Sequence, residues 1–129
     1  MITIVHGYDA EEIEEAAKEF NGKIVLYPEH KLHPRKQADL MIDLVIESRN
    51  QNLVIVTFSD VFVNYTGHLI WKNLVSRDEV AIIVVDGEGV RESKFDEETL
   101  LENWPYGFFN WGGHELEQFR DLKLQASSR

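Results

Sequence analysis

Glu29, His30, Lys31 and His33 fall together in the stretch Pro28-Glu-His-Lys-Leu-His-Pro34, and their types are those that do chemistry. Imidazole and carboxylate groups ligate zinc and similar cations, and a cation held that way activates water for hydrolysis. A metal-dependent hydrolase using Glu29, His30, His33 and Asp60 is therefore one reading of the chain. The spacing is His-x-x-His between two prolines, in a loop, and it lacks the helical i, i+4 register of His-Glu-x-x-His. Surface or capping histidines are the commoner meaning of such a pattern, so no metal site and no cofactor are expected.

Other chemistry can be set against the residues in the same way. Ser59 follows an apolar run and has Asp60 beside it, but a nucleophile elbow needs glycines on both sides of the serine to permit its strained turn. Phe58 and Asp60 flank the serine instead, with Val61 after them where the second glycine would stand. No Gly-x4-Gly-Lys-Ser/Thr loop is present to cradle a triphosphate with backbone amides. The glycine-rich spots, Asp86-Gly-Glu-Gly89 and Gly112-Gly113, read as turns, and the carboxylates of the first would repel phosphate. His6, His68 and His114 are scattered and carry no spacing signal.

Composition narrows the classes further. The 129 residues suffice for one domain with a hydrophobic core. No run of about 18 apolar residues marks a membrane span, and Met1-Ile-Thr-Ile-Val-His-Gly7 lacks the basic start and apolar stretch of a signal peptide. With no cysteine, neither disulfides nor thiolate metal sites are available. These features together point to a cytoplasmic protein. The net charge of −10 argues against binding nucleic acid through a basic surface. It leaves an acidic DNA-mimic inhibitor as an alternative, beside the plainer reading of acidity as solubility.

The elements that must position these residues follow from periodicity. Ile2 to His6 reads as a strand, Asp9 as an N-cap, and Ala10, Ile13, Ala17 and Phe20 as the apolar face of a helix that Asn21-Gly22 ends. Glu11, Glu12, Glu14, Glu15 and Glu19 fall on its other face. Lys23 to Tyr27 is a second strand, apolar as a buried parallel strand should be. Pro34 suits the first position of a helix whose face is Ala38, Met41, Leu44, Val45 and Ile46. Leu53 to Thr57 is a third strand, followed by a helix from about Val61 to Trp71 in which Gly67 predicts a kink or a split. Val80 to Val85 and Val90 to Phe95 form an antiparallel hairpin, and Asp96 caps a short acidic helix over about 97–102.

The end of the chain differs in kind: Trp104-Pro-Tyr-Gly-Phe-Phe-Asn-Trp111 is dense in aromatics, and a last helix over about 115–124 follows. An aromatic segment of this sort plugs a core or presents an adhesive surface. Strand–helix alternation with one hairpin predicts a single α/β domain over 1–129, mainly a parallel sheet with helices on both faces.

The order of these pieces resembles a known family. Pro28-Glu-His-Lys-Leu-His-Pro34 resembles the segment that follows the Walker B strand in ABC-type, RecF/OLD-like predicted ATPases. Val56-Thr-Phe-Ser-Asp60 is similar to their switch segment, and Trp104-Pro-Tyr-Gly-Phe-Phe-Asn110 to an aromatic tail in one branch of them. The likeness covers roughly residues 23–120. Before it, Gly7 and the following helix match the family's signature helix only in layout.

That resemblance implies a partial P-loop-NTPase-like lobe, but its working parts are missing. The two Walker B acids fall on Leu26 and Tyr27, and the switch histidine on Phe58, none of which carries a charge. Phosphoryl transfer rests on positioned charge and metal, so the resemblance implies a degenerate pseudo-ATPase with no enzymatic activity. Glu29, His30, His33, Ser59 and Asp60, with Trp104, Phe108 and Phe109, become candidates for an interaction surface. Some of the retained residues equally suit capping of strand ends and helix starts. The implied partner is a protein, either a full-length ATPase of the same type or a subunit that supplies the missing lobe. A phage or mobile-element setting would suit such a fragment.

Overall fold

A computed structural model describes residues 1–26, 34–58, 60–87 and 89–102 of the chain. The described strands are β1 (Ile2–Gly7), β2 (Lys23–Leu26), β3 (Leu53–Thr57), β4 (Val80–Asp86) and β5 (Gly89–Ser93). The helices are α1 (Ala10–Ala17), α2 (Pro34–Glu47) and α3 (Asp60–Trp71). The strands make one sheet in the order β2-β3-β1-β4-β5. Its first four members are parallel, and β5 returns antiparallel to β4. The expected α/β class, with a mainly parallel sheet and a hairpin, is thus observed.

Alternation along the strands divides the apolar residues between two faces. Ile2 and Ile4 of β1, Leu53 and Ile55 of β3, and Ile82 and Val84 of β4 point to one side. There they meet Ala38, Met41, Leu44 and Val45 of α2 and Phe62, Val63 and Leu69 of α3. Val5, Val54, Val56, Ile83 and Val85 point to the other side and meet Ile13 and Ala17 of α1. The three crossover connections agree in hand: α1 carries the chain leftward on one face, whereas α2 and α3 carry it rightward on the other.

Strand β3 is buried along its whole length, as its uninterrupted apolar sequence requires. Strand β2 departs from the same expectation. It lies at the edge of the sheet that the described residues form, with Ile24 46% and Leu26 63% exposed. Three successive apolar residues are compatible with either place, and only the sheet order distinguishes them. Helix α1 also stops sooner than its periodicity suggests. It ends at Ala17 with Lys18 as C-cap, and Phe20 then reaches the core from a turn.

Gly67 does not split α3, which runs unbroken over Asp60–Trp71. All residues from Phe62 to Leu69 are buried, so this helix is enclosed on every side. A Cβ at Gly67 would stand 2.9 Å from Phe95 Cε1 and 3.0 Å from the Thr99 carbonyl oxygen. The glycine is there because the chain after β5 crosses directly over the helix.

That crossing segment is not the short acidic helix that Asp96 and its glutamates suggest. Phe95 and Leu101 pair as an antiparallel bridge and are both buried. Between them, Asp96 Oδ1 accepts hydrogen bonds from the amides of Glu98 (2.8 Å) and Leu100 (3.0 Å). Thr99 takes a left-handed backbone with φ 62°. Burying two large apolar groups on α3 outweighs the weak helical preference of a few exposed acids.

Replacing Gly67 by Ala normally stabilises a helix by about 1 kcal/mol. Here the close approach reverses the sign, and Gly67→Ala is expected to destabilise the protein by roughly 1–3 kcal/mol. Urea unfolding followed by circular dichroism measures the change directly.

Candidate functional site at the carboxyl edge of the sheet

In an open α/β sheet the ligand crevice opens where neighbouring strands send their connections to opposite faces. In this order that point lies between β1, which leads to α1, and β3, which leads to α3. The two strand ends present His6 and Thr57, which are register partners and fully buried. His6 Nδ1 donates to the Thr57 carbonyl oxygen at 3.0 Å. Because a carbonyl can only accept, this contact fixes the ring proton on Nδ1. The ring of Tyr8 stands edge-on over the imidazole, with centroids 5.7 Å apart and planes at 70°.

A general base must come within hydrogen-bond reach of a substrate proton. His6 has no exposed surface, one of its nitrogens is committed across the strand ends, and Tyr8 lies against it. The arrangement joins β1 to β3 and offers no open imidazole. Beyond β1, Asp86 at the end of β4 is ion-paired with Arg91 across the hairpin.

The start of α1 decides whether the crevice can hold an anion. Free amides and the helix dipole make such a terminus attractive to phosphate. Only Tyr8 and Asp9 separate β1 from α1. Asp9 is the N-cap, and its Oδ1 accepts from the Glu12 amide at 3.1 Å. Its carbonyl accepts from the Ile13 amide at 3.1 Å. Glu11 and Glu12 add negative charge in the first turn. The helix therefore answers its own dipole, and a phosphate arriving here would meet carboxylates.

Gly7 makes this tight joint possible. A Cβ at that position would lie 2.5 Å from the Val85 carbonyl oxygen and 2.7 Å from Ile13 Cγ2. Any side chain would push α1 off the sheet. A loop that hugs the strand ends this closely has no room to wrap a polyphosphate.

Compared with protein-family models, curated proteins and solved structures, the chain matches none.

Of the positions singled out in the sequence, Leu26 and Phe58 are brought to the carboxyl ends of neighbouring parallel strands. Leu26 is in register with Val56, two residues before Phe58, so both lie on the α1 side of the sheet. Leu26 is exposed, whereas Phe58 packs in part against Val54, Val56 and their neighbours. Asp60 is the first residue of α3. Tyr27, Glu29, His30, His33 and Ser59 lie outside the described residues, as do Trp104, Phe108, Phe109 and the helix expected over about 115–124. Among the described residues, no group of three or more His, Asp or Glu side chains is placed to hold a metal ion. Among them too, no helix is long and apolar enough to cross a membrane.

His6 is the functional-edge residue that spacing rules passed over. Its signal was present in another form: it continues the inward series Ile2, Ile4, His6 as a polar group at an apolar position. His68 is similar in kind, buried on α3 with its ring 5.2 Å from that of Tyr65.

Asp9→Ala is expected to lower stability by about 1 kcal/mol, the usual cost of a lost N-cap. Gly7→Ala is expected to lower it by more, roughly 1–3 kcal/mol, through overpacking at Val85 and Ile13. Urea midpoints of the two variants, compared with the parent protein, check both the values and their order.

Proposed function

We propose that this chain is a nucleotide-blind, non-catalytic relative of the C-terminal lobe of ABC-type, RecF/OLD-like ATPases, and that it acts through protein contacts. The single observation that carries the first half is the N-cap of α1, where the Asp9 carboxylate takes the Glu12 amide and, with Glu11 and Glu12, sets negative charge where a phosphate would sit. The uncharged Leu26 and Phe58, at the strand ends where the family's acid and histidine would stand, support it. Phosphoryl transfer without a metal-holding acid or a phosphate cradle has no means of neutralising the developing charge.

The second half follows from what a sheet edge without catalytic groups can still do. In this reading the partner is a full-length ATPase of the same type, or the subunit that supplies the absent P-loop lobe, and binding regulates or blocks that enzyme. The net charge of −10 makes direct contact with nucleic acid unfavourable and leaves protein surfaces as the natural target.

Titration of the purified chain with ATP and magnesium in a calorimeter is expected to give no binding heat. A low-micromolar dissociation constant would overturn the nucleotide-blind reading, because a seat closed by Asp9 and flanked by Glu11 and Glu12 does not admit a triphosphate.

A further inference from the structure

Helices α2 and α3 lie on one face and connect parallel strands, so both end at the amino edge of the sheet. That edge is opposite the crevice described above. Between the end of α2 and the loop from α3 to β4 lies a cleft of about 620 Å³. Small-molecule sites span roughly 300–1,000 Å³ and combine apolar walls with a few polar groups. Here Ile70, Leu74 and Val75 supply apolar lining, and Arg49, Arg77 and Glu79 supply the charge.

Arginines near helix ends commonly serve as caps, because the last carbonyls lack amide partners. In this cleft the chain has already met that need. The Leu44 carbonyl of α2 accepts from the Ser48 amide, and the Val45 carbonyl from the Ser48 hydroxyl. Those of Ile46 and Glu47 accept from the amides of Arg49 and Asn50. Helix α3 closes through Asn73, whose backbone is left-handed with φ 60°. The Asn73 amide donates to the Ile70 carbonyl and the Leu74 amide to that of Leu69, each at 3.0 Å. An ending of this kind often packs its next apolar residue back on the helix, yet Leu74 stays 47% exposed at the cleft.

The two guanidinium groups are thus left over. Among the described residues, neither Arg49 nor Arg77 has a side-chain hydrogen bond or ion pair. Acids outnumber bases 23 to 13 in the chain, so a cleft with two arginines and one glutamate reverses the sign of the whole. Such a local reversal attracts anions.

We propose that this cleft binds a small organic acid, its carboxylate held by Arg49 and Arg77 and its hydrocarbon body laid on Ile70, Leu74 and Val75. Guanidinium matches carboxylate through two parallel N–H···O bonds. Glu79 sets the charge that the site accepts. Two guanidinium groups less one carboxylate leave a single positive charge, which suits a monoanion and disfavours a polyphosphate.

The test uses the full chain with octanoate as the probe. Acetate supplies the head without the body, 1-octanol the body without the charge, and inorganic phosphate a plain anion. Binding is followed through the backbone amide chemical shifts. Octanoate is expected to shift the amides of Asn73 to Arg77 saturably, and acetate and octanol to bind about tenfold more weakly or less. Arg49→Gln and Arg77→Gln are each expected to weaken octanoate by about tenfold, as loss of a charge-assisted bond does. Both side chains are exposed, so the urea midpoint is expected to stay unchanged. Glu79→Gln is expected to tighten octanoate a few-fold. Equal binding of octanol and octanoate, or octanoate binding untouched by either arginine variant, would mean adhesion to apolar surface and would overturn the proposal. Tighter binding of phosphate than of octanoate would make this a plain anion site, and the absence of any saturable shift would mean that the cleft takes no organic acid. Either result overturns the proposal and leaves the nucleotide-blind reading of the opposite edge standing.

Discussion

A sheet that is apolar on both faces must be covered on both, and this chain has three described helices with which to do it. Two of them, α2 and α3, share one face and bury it under a broad cluster that includes Phe62, Met41 and Leu69. The other face is left to α1, whose eight residues span about 12 Å. A single helix about 10–12 Å across overlies two or three strands at about 4.8 Å spacing, so it shields the centre and leaves an edge uncovered. Much else follows from this unequal cover. Gly7 has to lack a side chain so that a small helix can sit tightly, and β2 remains half in solvent although its sequence looks like a core strand.

The same economy shapes the carboxyl edge. With so short a turn between β1 and α1, the groups that would normally wait for a ligand are used by the chain itself. His6 bonds across to Thr57, Asp9 satisfies the first turn of its own helix, and Asp86 holds Arg91. Active sites keep donors and charges poised for a reacting group, whereas here they close on one another. Among the described residues the outcome is an edge with the topology of a ligand crevice and the bonding of a structural joint.

Much of the fold was legible before any coordinates. Leu53–Thr57 is apolar without a break, Pro34 opens its helix, and Asp86-Gly-Glu-Gly89 turns a hairpin, because each of these is a local preference that tertiary packing did not oppose. The misreadings share a cause. Helix propensity alone misplaces the role of Gly67, which is set by Phe95 and Thr99, far along the chain. The acidic run after Asp96 was judged by its charges although Phe95 and Leu101 fix its shape. Strand β2 could not be placed at an edge from composition, since sheet order is a property of all the strands together. His6 escaped notice because its meaning lies in a partner fifty-one residues away. The resemblance-based candidates divide similarly: Leu26 and Phe58 stand at neighbouring strand ends, while the histidine loop and the aromatic tail lie outside the described residues.

The central position of β1 has a consequence for how the protein is made. Its neighbours are β3 and β4, with Ile2 opposite Leu53 on one side and Val80 on the other. Strand β2 has β3 as its described neighbour. No two of the described strands within residues 1–50 therefore pair with each other. Pairings so distant in sequence form slowly, since a long loop must close before any contact rewards it. Throughout that interval the nascent chain displays Ile2, Ile4 and Val5, then Ile24 to Leu26, as bare ribbons. Such ribbons are what holding chaperones bind and what misassembly starts from, and Leu53 to Thr57, the described neighbour of both, is the segment that covers them.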